Sequence, residues 1–255
     1  MVKIAWSAGH GLTTPGKRSP DGEREWSFNN KVVEAGIQYL AQYEDVQQIR
    51  VDDPKGSTDV TLTTRTNTAN EWGADIYVSS HKNALTGAWG NHTGIETYTY
   101  LPPEENPKSV ALAKLIHPQV VDAMGLVDRG IKAANFHELR ETNMPAVLIE
   151  GGFMDSNIDI IKLRDDTYLK AQGEAIAKGI ALFFDLRVKK EEPKLFNTGS
   201  ITLNSEFNEM LVKAREKGII TSSGWEKKAA EGTLTESEAI GLTATVVKRM
   251  FFDND

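Results

Sequence analysis

Lys3-Ile4-Ala5-Trp6-Ser7-Ala8-Gly9-His10-Gly11 joins a short apolar run to a turn of small residues built around one imidazole. An apolar or β-branched run that ends in polar residues reads as a strand buried on both faces, as in an α/β sheet. Two further runs, Asp75 to Ser80 and Ala146 to Ile149, end in the same way and are followed by His81 and Glu150. Strands are also expected over Gln47 to Val51, Ile95 to Tyr100 and Gly130 to Ala133. Between them, apolar residues at helical spacing predict helices from about Trp26 to Tyr43, Leu62 to Trp72, Pro107 to Met124 and Thr167 to Phe184. Strands alternating with helices define a layered α/β domain.

After Phe184 the periodicity stops, and Arg187-Val188-Lys189-Lys190-Glu191-Glu192-Pro193-Lys194 reads as a solvated linker. Leu203 to Glu216 and Glu236 to Phe251 then show three and four spacing behind an Asn or Thr cap, which predicts two helices around a turn near Gly218 to Gly232. The expected organisation is a catalytic domain over residues 1–186, a linker over 187–194 and a small helical domain over 195–255.

The chain of 255 residues has room for both parts. It has no cysteine, so disulfides, thiolate nucleophiles and cysteine metal sites are excluded, and any metal must be held by His, Asp or Glu. A net charge of −7 argues against general affinity for nucleic acid. No apolar run approaches the roughly 20 residues that span a bilayer, so membrane insertion is not expected. Met1 to Ser7 enters a strand without the pattern of a secretory signal, so the chain is expected to be made in the cytoplasm.

Open α/β sheets bind ligands at the C-terminal ends of their strands. His10 and His81 both stand at such ends, although a His between glycines also suits an unusual backbone turn. Glu25 opens the first helix, where it faces the strand ends or simply complements the helix dipole, and Glu23 competes for either role. Two imidazoles, one carboxylate and a water make the open zinc site of hydrolases. Glu150 ends an apolar strand, where a carboxylate is costly unless paired or used. Beside an activated water it becomes a general base and then an acid. His92 and His117 are read as surface or capping residues.

Taken together, these residues resemble the zinc-dependent N-acetylmuramoyl-L-alanine amidases of the amidase-3 type, found in bacterial autolysins and phage endolysins. The likeness is carried by Gly9-His10-Gly11, Glu25 with Asn29, Ser79 to Ala84, Gly94-Ile95-Glu96 with Tyr98 and Tyr100, and Leu139-Arg140. Met144 to Leu148 and Glu150-Gly151-Gly152-Phe153 with Ser156-Asn157 complete it. The resemblance implies a twisted, mostly parallel or mixed sheet of about six strands flanked by helices. It also implies one Zn2+ on His10, Glu25 and His81, and catalysis by Glu150. Family members often carry an acid shortly before the Gly-His-Gly turn, where this chain has Trp6 and Ser7. Lys82 replaces a frequent alanine and is expected to point to solvent.

Asn83, His137 and Arg140 are candidate substrate contacts, with Glu141 an alternative partner for Arg140, and Glu96 is expected either to orient a ligand imidazole or to be structural. The implied substrate is bacterial peptidoglycan, cut between N-acetylmuramic acid and L-alanine. The expected biology is a phage or prophage endolysin that acts on the wall once the membrane opens. Alternatives are a host autolysin of sporulation or mother-cell lysis and a zinc carboxypeptidase-like enzyme. Met210 to Ile220, Trp225, Leu234 to Glu238 and the final helix resemble helical wall-attachment modules, with Trp225 a stacking candidate and a packing or dimerisation appendage the alternative.

Overall fold

In the computed structural model, residues 1–189, 196, 201–222 and 224–251 are described, so most of the expected linker, residues 190–194, lies outside the described residues. Six strands form one mixed sheet: β1 (Val2–Ala8), β2 (Val46–Arg50), β3 (Ile76–Asn83), β4 (Ile95–Tyr100), β5 (Asp128–Ala134) and β6 (Ala146–Phe153). They lie in the order β2-β1-β3-β6-β4-β5. Every pairing is parallel except β4 with β6.

Alternation along each strand assigns the two faces. Ile4, Trp6 and Ala8 of β1, Ile76 and Val78 of β3, and Val147 and Ile149 of β6 enter the larger core. That core is covered by α1 (Glu25–Leu40), α3 (Pro107–Met124) and α6 (Asp166–Phe184). On the opposite face, Ala5, Tyr77, Ala146 and Leu148 pack beneath α2 (Leu62–Trp72) and the short α4 (His137–Arg140). A further short helix, α5 (Asp159–Leu163), follows β6. Helices α1 and α6 meet almost backbone to backbone. A Cβ on Gly173 would stand 2.2 Å from the carbonyl oxygen of Val32, so no larger residue fits there without parting the helices.

Helices α2 and α3 have the bounds that apolar spacing predicts. Thr61 caps α2 by accepting from the Thr64 amide, and Gly73 ends it in the left-handed conformation. Two strands outrun their expected ends, because polar and small residues at the site still satisfy the sheet's backbone hydrogen bonds. β3 continues through His81 and Lys82 to Asn83, and β6 continues through Glu150 to Phe153.

The chain divides into two units, Met1–Lys189 and Lys190–Asp255. The second contains α7 (Ile201–Glu216), α8 (Gly224–Ala230) and α9 (Glu236–Phe251). Helix α7 starts two residues before the expected Leu203, and α8 occupies ground read from sequence as a turn. Seven residues of α8 give too little periodicity to separate a helix from a loop. Thr235 and Glu238 form a reciprocal capping box at α9, each side chain bonding the other's amide. Leu211, Ala214, Ile220, Leu234, Leu242 and Val246 make this unit's own small core. Among the described residues no helix is long and apolar enough to cross a membrane.

Candidate metal and catalytic site

The Gly-His-Gly turn leaves β1 with His10 at φ 67°, in the left-handed region that few side chains adopt. Such a conformation costs of order 1–3 kcal/mol and persists only where neighbours hold it. Arg65 of α2 supplies that hold. Its guanidinium, almost wholly buried, donates to the carbonyls of Ala8 at 2.6 Å and His10 at 2.8 Å and to Ser7 Oγ at 2.9 Å. Asn29 Nδ2 of α1 adds a bond to the Gly9 carbonyl at 3.2 Å. Gly9 admits no substitute, since a Cβ there would lie 2.2 Å from the His81 ring.

Glu25, at the first position of α1, is 2 % exposed. One carboxylate oxygen lies 3.2 Å from His10 Nε2 and the other 3.0 Å from His81 Nδ1. Oε1 also accepts from the Lys82 amide at 3.1 Å. Asn29, one turn along, reaches the same oxygen at 3.4 Å. Glu23 is directed elsewhere, pairing with Arg164 at 2.5 Å. Donor atoms of His10, Glu25 and His81 thus fall within 4.8 Å of one another.

Glu150 is paired in register with His81 across β6 and β3. Directly paired neighbours share a face, so both side chains rise on the α2 and α4 side. The residue is half-buried, yet its Oε2 is buried without a hydrogen-bond partner. Burial pushes its carboxyl up to about 7, helped by Glu25 and opposed by His81 and Lys82. Burial works against a charged His81, but Glu138 and Glu25 outweigh it and lift that imidazole to about 10. Burial also disfavours ionised Glu25, yet His10 and His81 hold its carboxyl well below the usual range. The cluster therefore concentrates negative charge around two imidazoles, and a divalent cation fits this donor set of two nitrogens and one oxygen. A cleft of about 330 Å³ passes His10, His81 and Glu138 on its way to Asp59, Leu62 and Arg65.

Two expectations fail here, and a third falls to one of its two alternatives. Lys82 does not point to solvent: it is 2 % exposed, with Nζ 2.8 Å from Gln172 Oε1 of α6. Because β3 runs on past Ser80, alternation turns Lys82 to the face opposite His81, and burial there drives its ammonium down to about 7. Glu96 takes the structural of its two expected roles. Its oxygens accept from Arg129 and Lys132 at 2.6 Å each, Tyr98 at 2.6 Å and Asn83 at 3.2 Å. His117 is buried, bonded to Thr97 at 2.9 Å and Asp128 at 2.7 Å, because its helix α3 presents that side to the sheet.

His92 in its loop bonds Asp155 at 2.6 Å, away from the cluster. Arg140 is exposed and tied to Glu141 and Asn135. His137 opens α4 with its ring 3.5 Å from Thr66 Oγ1. Sequence reasoning missed Arg65, Gln172 and Glu138, whose partners are brought together only by tertiary packing.

Residues 4–182 match the family described as N-acetylmuramoyl-L-alanine amidase, Amidase_3. A sporulation-specific N-acetylmuramoyl-L-alanine amidase of Bacillus subtilis (strain 168) is 34 % identical over 86 % of this chain and 83 % of its own. The endolysin of Bacillus phage SPP1 is 30 % identical over 96 % of this chain and 90 % of its own. Among solved structures, the catalytic domain of CwlV, an N-acetylmuramoyl-L-alanine amidase from Bacillus (Paenibacillus) polymyxa, superposes with a TM-score of 0.67 at 29 % identity. That match covers 73 % of this chain and all of the CwlV domain. The fold and the sequence thus define a hydrolase of bacterial cell wall. The chain belongs to the amidase-3 family of N-acetylmuramoyl-L-alanine amidases, and its substrate class is peptidoglycan.

Proposed function

We propose that His10, Glu25 and His81 hold one zinc ion and that Glu150 transfers the protons in hydrolysis of the N-acetylmuramoyl-L-alanine amide. The observation that carries this reading is the convergence of the three donors within 4.8 Å at the strand ends, with Glu150 in register beside His81. Bound zinc supplies Lewis acidity for the attacking water and the scissile carbonyl. Glu150 takes the water's proton at its carboxylate and hands it to the departing nitrogen of L-alanine as the carbon–nitrogen bond breaks. Asn83, at the end of β3, and His137, at the start of α4, are assigned to contact the substrate. Arg140 is the weaker candidate, since Glu141 and Asn135 already engage it.

The biological reading is a phage or prophage endolysin that waits in the cytoplasm. The likeness to the SPP1 endolysin supports it, because coverage of 96 % of the chain extends into the second unit. The sporulation-specific relative at 34 % identity favours a host autolysin as the second reading. The second unit is assigned to wall attachment. Its Trp225 packs partly into the small core, leaving Lys228 Nζ 5.4 Å from the ring centroid.

Mass spectrometry of wall digests, with and without chelator, tests the reaction. Expected products are new amino groups on alanine with intact glycan, lost on chelation and restored by zinc. Cleavage elsewhere in the stem peptide supports the carboxypeptidase-like alternative, and full activity in chelator removes zinc from the reading. Digesting vegetative and spore walls in parallel separates the two biological roles.

A further inference from the structure

We propose that Glu138 is a positioning residue for the metal ligand His81, fixing its ring through the nitrogen that faces away from the metal. The inference rests on the zinc reading above. His81 directs Nδ1 toward Glu25, at 3.0 Å, and hence toward the shared donor cluster. A ring that ligates through one nitrogen presents an N–H at the other, and that N–H needs an acceptor. Nε2 of His81 is buried without any hydrogen bond, and Glu138 Oε2 stands 3.5 Å away. A ring tilt of a few tenths of an ångström turns that approach into a charge-assisted bond.

Glu138 is itself held as an orienting group would be. It is 3 % exposed and comes from α4, an element that contributes no ligand. Oε1 accepts from Tyr77 Oη at 2.5 Å, Ser7 Oγ at 2.8 Å and Ser79 Oγ at 3.3 Å. Among the described residues Oε2 accepts only from Ser79, at 3.2 Å, and so keeps capacity for His81. Three hydroxyls from β1 and β3 thereby aim the carboxylate.

A plain structural ion pair does not explain it. Among the described residues, His81 is the only basic side chain within ion-pair distance of Glu138. Arg65 reaches it through Ser7 while bonding the carbonyls of Ala8, His10 and Val60.

Zinc affinity, measured by competition with a chromogenic chelator, tests the proposal on the full chain. Glu138→Gln keeps the side-chain volume and removes the charge. It should weaken zinc binding by about 10- to 100-fold and shift the visible spectrum of the cobalt-substituted protein. A merely structural acid would lower the unfolding midpoint of metal-free protein and leave affinity and spectrum unchanged, and that result overturns the proposal. If Glu138→Gln does not fold, Tyr77→Phe removes one hydroxyl that aims the carboxylate and should weaken zinc several-fold; unchanged affinity there overturns it equally. Wild-type protein that binds no stoichiometric zinc, or His81→Ala that binds it normally, defeats the underlying zinc reading instead, which keeps the two failures apart.

Discussion

Glu96 and Glu150 stand directly opposite one another on β4 and β6, share a face of the sheet, and have opposite fates. Glu96 is surrounded by donors. Burial disfavours its charge, but Lys132, Tyr98 and Arg129 prevail and bring its carboxyl down to about 2. Glu150 has an oxygen with no partner, and burial carries its carboxyl up to about 7. Two acids in one register differ because the edge strand β5 brings cations to one, while the cluster of His10, Glu25 and His81 leaves an oxygen of the other unpaired. A buried acid is structural when its neighbours satisfy it and chemical when they do not.

Exchanging the charges one at a time breaks this contrast most sharply at Glu150. Glu150→Gln should lower release of stem peptide by about 10²- to 10⁴-fold while zinc content stays at the wild-type value. Metal analysis beside product quantification checks it, and activity retained in the variant removes Glu150 from the reaction. Next in size is the contrast between two buried histidines. His81→Ala should lose bound zinc, whereas His117→Ala should keep it and lose about 1–3 kcal/mol of stability through its unsatisfied partners.

A third test uses pH on metal-free protein. The folded-state pKa of Glu150 lies above the ordinary value of 4.5, so the folded chain holds that proton more tightly than the unfolded chain. Its contribution is therefore fully present below about 4.5 and is lost as pH rises through about 7. Glu150→Gln should flatten this decline, gaining about 1–3 kcal/mol relative to wild type between pH 5 and pH 8 in denaturant titrations. Glu96 has the reverse sign: its stabilisation is present above about 4.5 and fades as pH falls toward about 2. The smallest effect belongs to Glu96→Gln at neutral pH. It should cost about 1–2 kcal/mol, because Arg129 and Lys132 are exposed enough to recover hydration, with zinc content unchanged.

The same contrast marks how far the sequence could be read. The strands and their helices were legible, and His10, Glu25, His81 and Glu150, which the structure brings close together, each lie in a local pattern of run, turn or helix start. Asn29 is one such local clue, since its distance of one helical turn from Glu25 is a contact in the structure. Lys82 was misread, and the role of Glu96 stayed open, because their partners come from elsewhere: Gln172 on α6, and Arg129 and Lys132 on β5. Nor could the sequence show that β3 reaches Asn83, and this alone decides which face Lys82 takes. Non-local packing has no period, so the pairing of Glu138 with His81 leaves no mark in the chain.

The register of β6 against β3 places Glu150 beside His81. A slip of one residue would bring Ile149 or Gly151 to that position and turn the carboxylate toward α6, where Gln172 already crowds Gly151. The three proposed ligands lie before residue 82 and are untouched by such a slip. A misaligned population would then take up metal normally yet turn over nothing. Turnover per bound zinc, rather than zinc content, is accordingly the measure of how much of a preparation has closed its sheet correctly.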